Sequence, residues 1–328
     1  MGTKNIVQRN QAMDILRVLA CLGVITTHAC GSVIVHHFAE KGSNEWMFCS
    51  ILGQSLKWSV PIFVMITGFF FLKPEKELPL KKLYGKYILR LVLALVFWTW
   101  FYAISLHSLY VGFYPFGGQD TNFWYVGMCI GLYMSMPVLR LVAANDRVLA
   151  YSCWIWLFIR FYLFFGRLFP VPIVLTDYVF TGYVGYCLWG YYLYRLNLSR
   201  KQTRIVYLVG LLSWIISAAL PLVTDNKVRF SMEDPGPILM SIAIFLYVIK
   251  HPVHLSPKHE RIVSHLSSMT FGIYMAHTFV LIEAFTRLYR FIPNIYLLVP
   301  ASIVVAFVSS YIIVLIIKQI PFLKKWVV

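Results

Sequence analysis

The chain has 328 residues, of which 59% are hydrophobic and only 13% charged, and its mean hydropathy is +0.71. A soluble domain of this size needs a largely polar surface, so this composition excludes an ordinary soluble globular fold. In a soluble protein, the formal net charge of +16 would suggest nucleic acid as a partner. The sequence contains no nucleic-acid-binding motif, so no nucleic-acid partner is expected.

About ten apolar segments follow one another along the chain, and each is long enough to cross a hydrocarbon core of roughly 30 Å. The sequence therefore predicts an all-α, polytopic transmembrane helix bundle that forms a single domain over residues 1–328. The fifth and eighth segments are the least typical of full crossings, because Arg160 interrupts one and the other is short. The predicted spans are residues 13–36, 47–72, 84–108, 121–140, 147–165, 176–196, 204–223, 236–250, 264–290 and 296–318.

Positive charge alternates between successive loops. Most lysines and arginines lie in the two terminal segments and in the loops that follow even-numbered spans, such as Lys81, Lys82, Arg200 and Lys201. Because basic loops stay in the cytoplasm, both termini are expected there. The predicted location is the cell (inner) membrane, crossed several times and in contact with membrane lipid.

Two sets of residues inside the apolar segments deserve separate interpretation. The six cysteines have no metal-ligand spacing, so they are expected to be small core residues, and neither a disulfide framework nor a metal site is predicted. Five cations lie within or at the ends of spans, and each needs a partner, a water-filled cavity or a route to the interface. These cations are Arg17, Lys57, Arg90, Arg160 and Arg287.

The first span carries a polar face made of Asp14, Arg17 and His28. At about 100° per residue these three side chains fall close to one line, with a rise of about 16 Å between Arg17 and His28. Ionisable residues inside a membrane often mark a functional site. A structural interpretation is also open: Asp14 and Arg17 can pair on the helix face, and His28 can join two helices by a hydrogen bond.

The segment Met13-Asp14-Ile15-Leu16-Arg17, followed ten residues later by His28, resembles the opening of the acyltransferase-3 family, whose first helix carries an Arg and a His at this spacing. Other segments are similar to the family in the same order, although Ala94 lies where its third helix often has a proline. These segments are residues 59–70, 81–98, 123–140, 182–192 and 270–277. The resemblance implies a membrane acyltransferase that O-acetylates a bacterial surface polysaccharide or a related acceptor.

The resemblance implies acetyl-CoA as the cytoplasmic co-substrate and a hydroxyl of a cell-surface glycan, or of its lipid-linked precursor, as the acceptor. His28 is the predicted catalytic group, either as a general base or as a transient carrier of the acetyl group, and the sequence leaves both open. Asp14 is expected to orient Arg17, which can contact the CoA phosphates or the thioester oxygen.

Three further cations are candidates for binding the donor. Lys86 and Arg90 are expected to contact CoA phosphates, and Lys82 is a peripheral phosphate contact or, alternatively, a solvated loop lysine.

Aromatic residues are the candidates for the acceptor pocket, because their rings combine an apolar face with a polar group. The predicted residues are Trp124, Tyr125, Tyr133 and Tyr274, for which an interfacial belt or core packing is the alternative. His277 is a second intramembrane imidazole, which can assist proton release or make a structural hydrogen bond.

Two other classes of protein fit an all-helical basic chain. A transporter or exporter would use the intramembrane ionisable residues as a proton relay or substrate site, but the sequence has no evident repeat symmetry. A polysaccharide polymerase or flippase-like protein is also all-helical, but the first-helix Arg and His give no reason to prefer it.

Overall fold

The computed structural model describes residues 10–105, 123–169, 182–224 and 228–328, and all regular structure within those ranges is helical. We number the helices in chain order. They are α1 (Gln11–Val35), α2 (Asn44–Ser55), α3 (Ser59–Phe71), α4 (Leu80–Ser105), α5 (Trp124–Ala144), α6 (Asp146–Leu168), α7 (Val184–Arg195), α8 (Arg200–Val223), α9 (Pro235–Lys250), α10 (Pro257–Phe291), α11 (Ile295–Ile317) and α12 (Pro321–Trp326).

Within the described residues, eight helical stretches are long and apolar enough to cross a membrane, counting α2 and α3 together. The prediction of an all-α polytopic bundle is therefore confirmed. Helix α9, with 16 residues, and α7, with 12, are shorter than the roughly 20 residues that a crossing needs. The predicted span ends at residues 106–108, 121–122 and 176–181 lie outside the described residues.

The fifth predicted span is one continuous helix, α6, despite its arginines. Arg160 Nη2 lies 3.4 Å from Glu233 Oε2, and Arg160 Nε donates to the Glu233 carbonyl at 2.6 Å. Arg167 forms an ion pair with Asp234. Both acids belong to the connection between α8 and α9, so their charges hold residues 228–234 against α6.

The second predicted span is broken near its middle, which the sequence analysis did not predict. Helix α2 ends at Ser55 and α3 begins at Ser59, so Lys57 lies in the intervening turn, where it is half-buried. Helix α3 packs closely against α7, because a Cβ added to Gly68 would lie 1.8 Å from the carbonyl oxygen of Cys187. Small residues permit such close helix contacts in membranes.

Helix α1 occupies the centre of the bundle. It contacts α2, α3, α9, α10 and α11, and its buried residues lie on several sides of the helix. This position carries the polar residues of α1 into the protein interior and away from lipid. All six cysteines are buried free thiols.

Candidate active site

A cavity of about 400 Å³ opens between α1, α3, α4, α5 and α10, and we call it the Arg17 cavity. Two guanidinium groups, from Arg17 and Arg90, share this cavity with tyrosine and phenylalanine rings. Its lining includes Arg17, Arg90, Phe63, Phe70, Phe71, Tyr87, Tyr125, Tyr133, Ser267, Thr270, Phe271 and Tyr274. The mixture of cations and aromatic rings suits a ligand that has both an anionic and an apolar part.

Arg17 is held in place by a residue of its own helix and by a ring of α3. Its Nη1 lies 3.1 Å from Asp14 Oδ1, and its guanidinium lies 5.1 Å from the centre of the Phe70 ring. Asp14 is buried and also accepts a 2.7 Å hydrogen bond from Ser267 Oγ of α10. Asp14 therefore has the geometry expected of a group that orients Arg17, while its role in catalysis stays a prediction.

Arg90 follows a π-helical turn, Leu83–Ile88, within α4. Its Nη2 donates to the Val328 carbonyl at 2.7 Å, and its guanidinium lies 5.8 Å from the Phe271 ring. Within the described part of the chain, Arg90 Nε is buried and has no hydrogen-bond partner. This nitrogen is a donor that the protein itself leaves unsatisfied beside the cavity.

The two predicted donor-binding lysines do not line the Arg17 cavity. Lys82 and Lys86 are exposed on the first turns of α4, and Lys86 Nζ lies 5.9 Å from the Tyr87 ring. Of the three additional cations predicted to bind the donor, the structure brings only Arg90 to the cavity. The reason is the direction of the first turns of α4, which present both lysines to the surface.

Three of the four predicted acceptor aromatics line the cavity: Tyr125, Tyr133 and Tyr274. The rings of Tyr125 and Tyr274 are 5.0 Å apart. Trp124 is not part of the lining and instead packs against Tyr183 at 5.6 Å, as in the alternative core-packing interpretation. Tyr87 was not predicted, but it lines the cavity and stacks with Tyr133 at 6.3 Å.

The two intramembrane histidines form a pair. The His28 and His277 ring centroids are 5.2 Å apart, and His277 lies 5.4 Å from the Tyr274 ring. His277 is fully buried, and its Nδ1 donates to the Tyr274 carbonyl. Because a carbonyl can only accept, the proton of neutral His277 is on Nδ1, and Nε2 has a lone pair that faces Thr278 Oγ1 at 3.3 Å.

His28 does not line the Arg17 cavity. Tyr274 lines that cavity and contacts His277, which in turn contacts His28, so ring contacts connect the cavity to His28 in the described residues. His28 instead lines a small recess of about 10 Å³ together with Lys57. The sequence identified Lys57 as an intramembrane cation but gave no indication that it faces His28.

Comparison with known families identifies the family of this chain. A family model described as an acyltransferase domain, Acyl_transf_3, matches residues 10–318. Neither the search of curated proteins nor the search of solved structures gave a match. The matched region includes α1 with Arg17 and His28, Arg90 of α4, and Tyr274 and His277 of α10. Because this region covers nearly the whole chain, the protein belongs to the acyltransferase-3 family of membrane acyltransferases.

Proposed function

We propose that this acyltransferase moves an acetyl group from cytoplasmic acetyl-CoA to a hydroxyl of a cell-surface glycan or of its lipid-linked precursor. The observation that carries this proposal is the Arg17 cavity, where two guanidinium groups and a tyrosine-rich wall lead to a pair of intramembrane histidines. An acyl donor with phosphates needs the cations, and hydroxyl activation needs the imidazoles.

The donor occupies the Arg17 cavity in this proposal. Its volume of about 400 Å³ is within the roughly 300–1,000 Å³ of small-molecule sites, and it suits the narrow arm of CoA. Arg17 and Arg90 supply charge-assisted hydrogen bonds to the thioester oxygen or to phosphates. Lys318 lies near enough to both Arg90 and Lys324 for their charges to interact, which makes this end of the cavity attractive to phosphate groups.

The histidine pair provides the proton chemistry. The acceptor oxygen forms a bond to the acetyl carbonyl carbon, the C–S bond breaks, and the products are an O-acetyl ester and the CoA thiol. His28 takes the hydroxyl proton, which then goes to the departing sulfur. His277, whose tautomer is fixed by the Tyr274 carbonyl, positions His28. Tyr274, between the cavity and His277, must turn aside for the acetyl group to reach His28.

The test is acetyl transfer from labelled acetyl-CoA to membrane glycolipid by the protein in lipid nanodiscs. We expect His28→Ala to lower the transfer rate by about 10²–10⁴, the usual contribution of a general base. The affinity for acetyl-CoA should stay within about twofold of wild type, because His28 is not in the Arg17 cavity.

The matched control is His36→Ala, which removes an exposed histidine at the end of α1. Its transfer rate should equal that of the wild-type protein. Full activity of His28→Ala would contradict the role assigned to His28, and a wild-type protein unable to transfer acetyl at all would refute the proposed function.

A further inference from the structure

The recess beside His28 is separate from the Arg17 cavity and has no lining residue in common with it. Three elements form it: α1, the break between α2 and α3, and the connection between α8 and α9. Helix α1 contributes Thr27 and His28, the α2–α3 break and the residue after it contribute Lys57 and Ser59, and the α8–α9 connection contributes Met232. Tyr274 and His277, through which His28 is connected to the Arg17 cavity, do not line the recess.

Lys57 brings a positive charge into this recess without a partner from the described part of the protein. Its ammonium group has no hydrogen bond or ion pair there, although Asp234 and Arg229 are close enough to act on it electrostatically. Asp234 is already ion-paired with Arg167, and Arg229 repels Lys57. A cation deep in a membrane protein is costly, so an unpaired one indicates a ligand or a reaction step that uses it.

The size of the recess limits what can enter. Its volume of about 10 Å³ is close to the minimum that a single water molecule requires, so a phosphate or carboxylate group is too large. One oxygen atom fits. A single hydroxyl oxygen therefore fits beside Lys57, with the carbon atoms that carry it outside the recess.

The polar groups around the recess are complementary to a hydroxyl. Thr27 Oγ1 donates to the Gly23 carbonyl at 2.9 Å, and Ser59 Oγ donates to the Leu56 carbonyl at 2.7 Å. Both hydroxyl oxygens therefore have only lone pairs left for a ligand, whereas the Lys57 ammonium has only protons. An alcohol, which both donates and accepts, satisfies the two kinds of group together.

We propose that this recess holds the reacting hydroxyl of the acceptor, and that Lys57 is a catalytic residue that stabilises the negative charge on that oxygen. This inference rests on the proposed function. The donor approaches from the Arg17 cavity and the acceptor from the other side, so the two substrates meet at His28. Lys57 then contacts the acceptor oxygen and not the thioester.

The proton, the acceptor oxygen and the sulfur can each be followed through the transfer step. As the acceptor O–H proton moves to the His28 imidazole, the oxygen gains negative charge beside the Lys57 ammonium and bonds to the acetyl carbon. The C–S bond then breaks, and His28 returns the proton to the sulfur. A cation fixed in a dry site stabilises such developing charge more effectively than water does, because it needs no reorganisation during the reaction.

Gly23 makes this arrangement possible. A Cβ at position 23 would lie 2.1 Å from Ser59 Oγ, so only glycine lets the start of α3 approach α1 this closely. The approach brings the break that contains Lys57 against the turn of α1 that contains His28. The short distance between the two helices thus serves the recess as well as packing.

The experiment compares two small alcohols as acceptor probes, glycerol and the more acidic 2,2,2-trifluoroethanol, with acetyl-CoA and the purified full-length protein. Lys57→Met removes the charge and keeps most of the side-chain volume. We expect its transfer rate to glycerol to fall by about 10²–10³, the loss typical of removing one oxyanion-stabilising group. The loss with trifluoroethanol should be at least tenfold smaller, because that oxygen needs less charge stabilisation.

Two variants complete the test. Lys57→Arg keeps the charge and should recover part of the rate with glycerol, and Lys41→Met, which removes an exposed loop lysine, should match the wild type. Three results for Lys57→Met would overturn the role of Lys57 and leave the proposed function intact. They are equal losses of rate with the two alcohols, an unchanged rate with both, and weaker acetyl-CoA binding. A wild-type protein that transfers acetyl to no acceptor, membrane glycolipid included, would refute the proposed function and this inference together.

Discussion

The cations inside the helices differ in how the protein satisfies their charge. Arg160 has an acid and a carbonyl as partners, so packing accounts for it fully. Arg17 is paired with Asp14 but still lines the cavity. Arg90 has one bonded nitrogen and one buried nitrogen without a partner in the described structure. Since an unsatisfied buried donor is costly, the environment of Arg90 also needs a ligand.

Arg90 therefore provides a prediction at the scale of one residue. Arg90→Gln removes the charge-assisted hydrogen bonds to the donor, each of which contributes roughly 1.5–3 kcal/mol. The acetyl-CoA dissociation constant should increase by about 10-fold to 100-fold, which equilibrium binding to the detergent-solubilised protein would measure.

The control for Arg90→Gln is Arg287→Gln, which removes an exposed arginine that forms an ion pair with Glu283 of the same helix. This variant should bind acetyl-CoA as the wild type does. Because Arg90 also bonds Val328, the melting temperature of each variant needs to be compared. Unchanged acetyl-CoA affinity in Arg90→Gln would remove this residue from the donor site.

At the scale of the elements, a side chain of α4 forms hydrogen bonds with the backbone of α10 beside His277. The Tyr102 hydroxyl accepts from the Phe279 backbone N–H at 2.8 Å and donates to the Met275 carbonyl at 2.8 Å. In a regular helix Phe279 N–H would bond the Met275 carbonyl directly, so Tyr102 is inserted into the helical hydrogen-bond ladder. This insertion fixes the turn from which His277 reaches His28.

Tyr102→Phe removes the inserted hydroxyl and allows the turn to close. We expect kcat for acetyl transfer to fall by about tenfold or more, because small displacements of reacting groups are costly in rate. Acetyl-CoA affinity should stay unchanged, since Tyr102 does not line the Arg17 cavity. Steady-state kinetics would separate the two effects, with the exposed Tyr84→Phe as the control. A stability loss with normal kcat would mean that Tyr102 has only a structural role.

The helices were predictable because lipid imposes length and hydropathy on each crossing segment, and the polar face of α1 followed from helix geometry. The break at residues 56–58 was not recognised, although Pro61 in the first turn of α3 is a typical sign of a helix start. The His28–His277 pair and the approach of Lys57 to His28 join residues far apart in sequence. Such contacts depend on how the helices pack, and the hydrophobic periodicity of one sequence does not show which helices are neighbours.

At the scale of the whole molecule, the direction of the site depends on which loops face the cytoplasm. Asp14 and Arg17 lie near the start of α1, and Arg90 lies in the first half of α4. The adjacent loops and helix ends are rich in lysine, including Lys81 and Lys82. If these basic segments are cytoplasmic, the Arg17 cavity opens toward acetyl-CoA and the Lys57 recess lies on the side of an extracytoplasmic acceptor.

Chemical labelling of single introduced cysteines tests this orientation. Lys41 precedes α2 and Lys81 lies in the first turn of α4, so the α2–α3 crossing separates these two exposed residues. The six native cysteines are buried, so background labelling should be low. A membrane-impermeant maleimide should label Lys41→Cys in intact cells, and Lys81→Cys only after the membrane is opened. The reverse pattern would turn the Arg17 cavity outward, where acetyl-CoA is absent, and the donor proposal would then fail even though the fold and the histidine pair stayed as described.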